Sequence, residues 1–246
     1  MLRTGLSGRS IRTKGEAGDI VTELDLLAER AVRGVLESLR PGDSVVGEEL
    51  ADHEGEAAGF RWSVDPLDGT TNLVRGLPHY GTSVAVQDLT NNDWVAAAIV
   101  APELNTEYFA SRGAGAWRIR AGGAPERLTG APANRATRLL GTGFSYDSDQ
   151  RSRQYAALPR LMEQFMDMRS VGSAALGLAL AAEGSVDGFL ESDLYEFDWA
   201  AGALIAEEAG LTVLRPSTHR GGILAYPSDF VLPAEDDWNS AHRSNG

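Results

Sequence analysis

Apolar residues recur every three or four positions in four stretches of the chain, and this spacing predicts helices. The predicted helices cover residues 25–39, 158–168, 172–183 and 198–209. Arg-Pro-Gly at residues 40–42 ends the first of them, because proline and glycine both interrupt helices. The pattern therefore predicts one helix early in the chain and three in its second half.

Short apolar runs predict strands, most of them in the first half of the chain. They lie at residues 44–46, 62–64, 82–86, 95–100, 107–110 and 186–190. Polar or glycine-containing turns, such as Asn91-Asn92 and Arg112-Gly113, separate the strands between about residues 80 and 120 and favour an antiparallel sheet. Because strands and helices are mixed rather than strictly alternating, the order predicts an α+β fold.

Length and composition are typical of one folded domain. The chain has 246 residues, of which 43% are hydrophobic, and can bury a large core. We therefore expect a single domain, residues 1–246, with an N-terminal half to about 130 and a C-terminal half from about 131. Its apolar runs are far shorter than the roughly 20 residues that span a bilayer, and no signal peptide is evident, so a cytoplasmic location is expected.

Cysteine, histidine and net charge narrow the chemistry. The absence of cysteine excludes disulfides, thiolate zinc sites and cysteine-dependent phosphatases. The four histidines lack metal-binding spacing, so none is predicted to be catalytic. A net charge of −13 argues against binding to nucleic acid or an anionic membrane, and it would repel an anionic substrate unless cations intervened.

The most informative segment is D-P-L-D-G-T-T-N at residues 65–72, directly after a predicted strand. Asp65 and Asp68 supply hard oxygen ligands of the kind that Mg²⁺ prefers, and Gly69 lets the backbone approach a ligand closely. The same residue types are also common in tight turns. The segment alone therefore fits a turn as well as it fits a site for metal and phosphate.

Two further acidic segments stand at the ends of predicted elements. G-E-E at residues 47–49 follows a strand, and Asp198 opens the last predicted helix. Asp198 could serve only as the N-cap of that helix, and one of Glu48 and Glu49 could be a solvated loop residue. Acidic residues at the ends of three predicted elements nevertheless indicate that they form one shared site.

These segments together resemble the inositol monophosphatase family, the magnesium-dependent and lithium-sensitive phosphomonoesterases. D-I-V-T-E-L-D at residues 19–25 matches the family's D-x-V-T-x-x-D, and residues 47–49 match its G-E-E. Residues 65–72 match D-P-[LI]-D-G-T-T-N, and residues 198–202 match D-x-A-[AG]-G. R-S-V-G-S-A-A at residues 169–175 also fits, and all the matches occur in the family's order.

The resemblance implies a layered αβαβα sandwich of the inositol monophosphatase and fructose-1,6-bisphosphatase type. It also implies two or three Mg²⁺ ions, a choice that suits ligands made only of hard oxygen. Asp65 would bridge two metal sites. The metal ligands implied are Glu48, Asp65, the backbone carbonyl of Leu67, Asp68 and Asp198.

The mechanism implied by the resemblance is in-line attack of a metal-bound water on phosphorus, without a covalent phosphoenzyme. Thr70 would orient or deprotonate the water, and Asp25 would pair with Thr70. Asp25 could instead be only an acid favoured at a helix N-terminus. Glu191 would bind substrate hydroxyls, although it could also be an exposed residue after a strand. The full set of implied substrate contacts is Gly69, Thr70, Gly172, Ser173, Ala174 and Glu191.

The expected substrate is a small phosphorylated polyol or sugar, with inositol monophosphate first, and the expected assembly is a homodimer. Histidinol phosphate, 3'-phosphoadenosine 5'-phosphate and fructose 1,6-bisphosphate remain alternatives, and Thr71 argues mildly against the first two. Haloacid dehalogenase-type phosphatases are disfavoured, because their aspartates are two residues apart whereas Asp65 and Asp68 are three apart. A non-enzymatic regulatory protein on the same fold is a further alternative.

Three departures from the family bear on substrate range and assembly. Family members usually have a longer helix before the Lys14 region and a closing helix after residues 221–225, so we expect both ends to be reduced. The tail around residues 235–237 is polar and acidic. Phe197 stands where the family often has tryptophan.

Overall fold

The computed structural model describes residues 11–13, 20–56, 59–132 and 135–231. Five helices form in these ranges, and none of them is long and apolar enough to cross a membrane. Positions 14, 19 and 235–237, which the sequence singled out, lie outside the described residues. The helices are α1 (Glu23–Leu39), α2 (Thr70–Arg75), α3 (Ser148–Leu161), α4 (Ala174–Ala182) and α5 (Glu196–Glu208).

The strands form two sheets and a small antiparallel ladder of β1 (Ile11–Thr13) and β2 (Ile20–Thr22). The larger sheet has seven strands in the order β3-β4-β5-β6-β7-β8-β9. Its first pair is parallel and the others are antiparallel, which confirms the predicted antiparallel character. Its strands are β3 (Ser44–Gly47), β4 (Phe60–Asp68), β5 (Gly81–Asp88), β6 (Asp93–Ala101), β7 (Thr106–Ser111), β8 (Gly115–Arg120) and β9 (Glu126–Arg127).

The smaller sheet has five strands in the order β11-β10-β12-β14-β13. β10 runs parallel to both of its neighbours, whereas β14 is antiparallel to β12 and β13. The mixed directions follow from helices α3 and α4, which connect the parallel strands. Its strands are β10 (Leu139–Thr142), β11 (Asp167–Arg169), β12 (Gly188–Tyr195), β13 (Thr212–Leu214) and β14 (Arg220–Tyr226).

Helices α4 and α5 lie between the two sheets and carry much of the main core. Both are apolar on all sides, which is the pattern of a helix buried all round. Small residues bring them together, since a Cβ on Gly202 would lie only 2.6 Å from the Leu178 side chain. α1 covers the outer face of the large sheet and α3 that of the small one. The predicted αβαβα sandwich is confirmed.

The helix predicted at residues 158–168 has the wrong bounds, since only residues 158–161 of that range are helical. α3 begins at Ser148, where Asp147 caps it by accepting a hydrogen bond from Gln150 N (2.6 Å), and it ends at Leu161. Its first two turns are polar, so apolar spacing gave no signal there. Phe165 lies beyond the helix and packs beside Leu161, which imitates a continued helical stripe.

Other predicted boundaries shift by a few residues. α1 begins at Glu23 after the N-cap Thr22, and α4 begins after the N-cap Ser173. The strand predicted at residues 186–190 instead covers residues 188–195, and α5 starts two residues before Asp198. Capping side chains set these starts, whereas apolar periodicity identified only the interior turns.

Candidate active site

Asp65 and Asp68 occupy the carboxyl end of β4, the second strand of the large sheet. Residues three apart on a regular strand point to opposite faces. The pairing of β4 with β5 is irregular between Asp65 and Asp68, and this β-bulge turns the second carboxylate back toward the first. Asp65 is 1% exposed, and its Oδ1 accepts a hydrogen bond from Leu67 N (2.9 Å).

The start of α4 holds Asp68 in place. Asp68 Oδ2 accepts hydrogen bonds from Ser173 Oγ (2.6 Å) and from Ala175 N (2.7 Å). Ser173 is also the N-cap of α4, because its Oγ accepts from Leu176 N (3.2 Å). The predicted residues at 172–174 therefore adjoin the Asp-rich turn, on the side of Asp68.

The turn after Asp68 packs against the turn before α4. Gly69 has a φ of +91°, and a Cβ there would lie 2.7 Å from the His79 carbonyl oxygen and 3.2 Å from that of Gly172. Asn72 Nδ2 donates to the carbonyls of His79 (2.6 Å) and Val171 (2.7 Å). Glycine is required at position 69 both by its left-handed backbone and by this close approach.

A buried pair on α1 holds the loop that carries Glu48. Glu29 is 0% exposed, and its carboxylate accepts from Glu49 N (2.7 Å) and from the side chain of Arg33 (2.8 Å). A Cβ on Gly47 would lie 2.1 Å from Glu29 Oε1, so only glycine fits there. Sequence reasoning missed Glu29. The available signal was the spacing of Asp25, Glu29 and Arg33, which places three charged residues along one side of α1.

Asp198 lies in the first turn of α5. One interpretation of the sequence made it the N-cap of that helix, and the structure contradicts this. The N-cap is Tyr195, and Asp198 Oδ2 accepts from Tyr195 N (2.6 Å). Asp198 thus serves the helix end as the third helical residue, which is the position of the acid in a capping box. In the described ranges its other carboxylate oxygen has no hydrogen bond, and the same holds for Asp65 Oδ2.

Burial and mutual repulsion raise the pKa values of these acids. Burial, followed by the charges of Glu48, Asp68 and Asp198, raises the pKa of Asp65 well above its ordinary value. Burial and the charges of Asp68 and Glu48 raise the pKa of Asp198 in the same way. Burial also raises the pKa of Asp68 to about 6 despite its hydrogen bonds. The four carboxylates, Glu48 included, are therefore close enough to repel one another.

The three aspartates of this cluster have no cationic partner in the described part of the chain. Among the described residues, no arginine or lysine is a cause of the three pKa shifts. Of the residues that the structure describes, no three Asp, Glu, His or Cys side chains form a group that could hold a metal ion. Hard oxygen donors with uncompensated charge fit divalent cations, which would bring the repelling carboxylates together.

Thr70 connects the Asp-rich turn to α1. Its Oγ1 lies 2.8 Å from Asp25 Oδ1 and 3.1 Å from the Leu67 carbonyl oxygen. Asp25 is 0% exposed, and its Oδ2 also accepts from the backbone N (2.8 Å) and hydroxyl (2.5 Å) of Thr22. Asp25 is thus both the capping-box acid of α1 and the partner of Thr70, so the two interpretations of this residue are compatible.

Glu191 lies on β12 beside this cluster and is not the exposed residue that one interpretation allowed. Burial and then the charge of Asp68 raise its pKa to about 8. A Cβ on Gly143 would lie 2.2 Å from Glu191 Oε1, so the glycine directly after β10 leaves room for the carboxylate. A cavity of about 30 Å³ adjoins it, lined in part by Phe144 and Gln154. No local pattern pointed to the role of Gly143.

Comparison with known proteins places this geometry in a family. The model of the inositol monophosphatase family matches residues 2–242. The chain belongs to the inositol monophosphatase family. The resemblance found in the motifs is thereby confirmed, and the chain is a phosphatase of that family.

Several individual proteins of the family are similar to this chain. An inositol-1-monophosphatase of Mycobacterium leprae is 39% identical over 213 residues, which are 85% of this chain and 72% of that protein. The Nus factor SuhB of Salmonella typhimurium is 36% identical over 199 residues, which are 79% of this chain and 71% of that protein. The solved structure of the extragenic suppressor protein suhB of Bartonella henselae superposes with a TM-score of 0.79 at 30% identity, covering 90% of this chain and 84% of that one.

Proposed function

We propose that this chain is a magnesium-dependent phosphomonoesterase for a small polyol or sugar phosphate, with inositol monophosphate as the first candidate. The observation that carries the proposal is the cluster of Asp65, Asp68 and Asp198 beside Glu48, since no described arginine or lysine contributes to the pKa shifts of the three aspartates. A metal-dependent phosphatase needs such a surplus of negative charge, because its anionic substrate binds through cations. The similarity to an inositol-1-monophosphatase favours the inositol ester.

The residues proposed to hold Mg²⁺ are the four carboxylates and the carbonyl of Leu67. Asp65 and Asp198 each use one oxygen on a backbone amide and keep the other for a cation. The Leu67 carbonyl oxygen is 3.1 Å from Thr70 Oγ1 and has a second lone pair. When bound, Mg²⁺ neutralises phosphate charge, lowers the pKa of a water ligand and stabilises the departing alkoxide. Because all of these protein ligands are oxygen atoms, the site suits Mg²⁺ better than Zn²⁺.

Thr70 and Asp25 are proposed to orient the attacking water and to accept its proton. The Thr70 hydroxyl has one proton and two possible acceptors, Asp25 Oδ1 and the Leu67 carbonyl. While it donates to Asp25, its lone pairs are directed elsewhere and can accept from water, which orients the nucleophile. Asp25 is held by Thr22 at its other oxygen, so it can take a share of that proton without moving.

The opposite side of the site is proposed to bind the alcohol part of the substrate. Glu191 is half-buried with a small cavity beside it, and carboxyl oxygens bind vicinal hydroxyls well. Gly172, Ser173 and Ala174 lie next to Asp68 and would contact the same part of the substrate. Gly69 and Thr70 would contact the phosphate through their backbone.

A phosphate-release assay tests the function. Wild type, Asp65→Asn and the control Asp149→Asn, an exposed aspartate on α3, are assayed with Mg²⁺ or with chelator. The panel is inositol 1-phosphate, histidinol phosphate, 3'-phosphoadenosine 5'-phosphate, fructose 1,6-bisphosphate and nucleoside monophosphates. We expect Mg²⁺-dependent release, highest on inositol 1-phosphate, that Asp65→Asn loses and Asp149→Asn keeps. Release that persists in chelator, or in Asp65→Asn, would refute the proposed metal site.

A second candidate function comes from the relative named Nus factor SuhB. A chain that acted as a Nus factor could carry the fold without needing turnover. The assay separates the two, because absence of release on the whole panel, with Mg²⁺ binding intact, would favour this role. Lithium inhibition and homodimerisation are further proposals from family membership, and light scattering of the purified chain tests the second.

A further inference from the structure

Arg61 and Glu196 flank two of the proposed metal ligands. Arg61 lies four residues before Asp65 on β4, so the two side chains project from the same face of the strand, about 13 Å apart along it. Glu196 is the first residue of α5 and stands two positions before Asp198. Each charged residue therefore shares an element with a ligand without belonging to the carboxylate cluster.

The two side chains form a bidentate ion pair. Arg61 Nη1 donates to Glu196 Oε1 (2.7 Å), and Arg61 Nη2 donates to Glu196 Oε2 (2.8 Å). The side chains are only 23% and 16% exposed, respectively. Two parallel bonds between a planar guanidinium and a carboxylate fix both distance and orientation. The pair joins residues that are 135 positions apart in the chain.

Neighbouring residues hold Arg61 in this orientation. Gln87, its direct partner on β5, accepts from Arg61 Nη2 at 2.7 Å. The guanidinium also lies 5.7 Å from the centre of the Trp94 ring. Trp94 in turn contacts Trp199 edge to face at 6.0 Å, and Trp199 directly follows Asp198. The guanidinium is thus preorganised, so pairing with it fixes α5 rather than the arginine.

We propose that Arg61 and Glu196 are positioning residues that hold Asp198 against Asp65 and Asp68. Like charges on Asp198 and on the β4 aspartates would push the start of α5 away from β4 in the absence of a cation. The ion pair opposes this movement. Within the described ranges, the other hydrogen bond between this helical turn and the large sheet, from Ser83 Oγ to the Phe197 carbonyl, is long at 3.4 Å. The inference rests on the proposed metal site.

Mg²⁺ binding to the metal-free protein, measured by calorimetry, tests the pair without relying on turnover. Positioning predicts that Arg61→Gln and Glu196→Gln both weaken Mg²⁺ binding, each on the order of tenfold, as for other residues that orient metal ligands. A purely electrostatic effect predicts opposite signs, since removing a positive charge strengthens cation binding and removing a negative charge weakens it. Because the two residues act as a unit, Arg61→Gln/Glu196→Gln should bind Mg²⁺ about as weakly as either single variant.

Arg112→Gln is the matched control. Arg112 pairs with Glu207 (2.7 Å) at the opposite end of the same helix, far along α5 from Asp198. It should leave the Mg²⁺ affinity within about twofold, since this pair lies at the end of α5 that is remote from Asp198. Arg61→Lys, which keeps the charge but not the bidentate geometry, serves if Arg61→Gln does not fold, and it should also weaken binding several-fold.

The outcomes separate the inference from the proposed function. Wild type that fails to bind Mg²⁺ overturns both. Wild type that binds Mg²⁺ while Arg61→Gln and Glu196→Gln bind it equally well, or with opposite changes, overturns only the positioning role. Equal weakening by Arg112→Gln would also overturn it, because the cause would then be general loosening of α5.

Discussion

The carboxylate site and Glu183 differ in the side chains that surround their acidic groups. The carboxylate site consists of Glu48, Asp65, Asp68 and Asp198, and burial with mutual repulsion raises the pKa values of its three aspartates. The second group is a single glutamate, Glu183, at the end of α4. Burial alone would raise its pKa, but hydrogen bonds from Ser185, Arg118 and Tyr108 outweigh burial and lower it.

The two sites differ in whether a cationic side chain neutralises the buried carboxylate. Glu183 is 2% exposed at its side chain and is bonded by Arg118 (2.6 Å) and Tyr108 (3.0 Å), so its charge is neutralised within the chain. The three aspartates of the carboxylate site accept from backbone and hydroxyl donors and from no described arginine. Their charge is available for a ligand. A buried acid without a cationic partner therefore marks the candidate site better than acidity or burial does.

Breaking the paired side of this comparison should give the largest effect. Glu183→Gln leaves Arg118, which is 15% exposed, with the exposed Glu126 as its remaining ionic partner and should lower the free energy of unfolding by about 2 kcal/mol. Urea denaturation measures the loss. Mg²⁺ affinity and turnover per folded molecule should be unchanged. Loss of Mg²⁺ binding in this variant would mean that the two groups are not independent.

Removing a charge from the carboxylate site should raise the stability of the metal-free protein, the opposite of the effect at Glu183. Asp65→Asn removes a repelled, fully buried charge while Asn Oδ1 can still accept from Leu67 N. At pH 8 and without metal, the variant should be more stable than wild type by about 1 kcal/mol or more. Mg²⁺ should raise the melting temperature of wild type but not of the variant. Destabilisation of the metal-free variant would show that Asp65 is a structural acid like Glu183.

Much of the fold could be predicted from sequence, because the predicted strands and buried helices have strong apolar signals. The predicted strands of the large sheet and the all-apolar α4 and α5 are examples. α3 was displaced because its amphipathic signal is weak and a side-chain cap, Asp147, sets its start. Strand β14 was missed because its interior is buried on both sides and shows no alternation.

The four proposed carboxylate ligands stood out in the sequence because each is an acid near the end of an element. The residues that support them did not. Glu29 looks like any exposed helical acid until the loop at residues 48–50 is seen to fold over it. Arg61 and Glu196 are 135 positions apart, and no short-range pattern joins them. Partners brought together only by tertiary folding cannot be read from local spacing.

Acids whose pKa values are raised and acids whose pKa values are lowered should also change stability in opposite directions with pH. In the metal-free protein, the pKa values of Asp68 (about 6) and Glu191 (about 8) lie above their ordinary values of 3.8 and 4.5. The folded state then binds more protons than the unfolded state, so stability falls as pH rises from about 4 to 8, by up to about 1.4 kcal/mol per unit per proton. The lowered pKa values of Glu183 and Glu207 give stability that is present above about 4.5 and lost below it.

Melting temperatures recorded from pH 4 to 9 with chelator and with Mg²⁺ measure both trends. The curve with chelator should fall toward alkaline pH, and Mg²⁺ should remove most of that fall by compensating the ionised carboxylates. Equal curves with and without Mg²⁺ would contradict the assignment of the raised pKa values to a cation site.

Glu29 sharpens the comparison, since it is a paired acid like Glu183 but lies against a ligand loop. In Glu29→Gln an amide NH₂ replaces one carboxylate oxygen and, facing Glu49 N, would oppose one donor to another. The loop carrying Glu48 should loosen, and Mg²⁺ affinity should fall on the order of tenfold. Calorimetry compares this variant with Glu183→Gln, in which the affinity should hold. If both variants lose stability but neither loses Mg²⁺ affinity, arginine pairing alone identifies a structural acid, and contact with a ligand loop adds nothing.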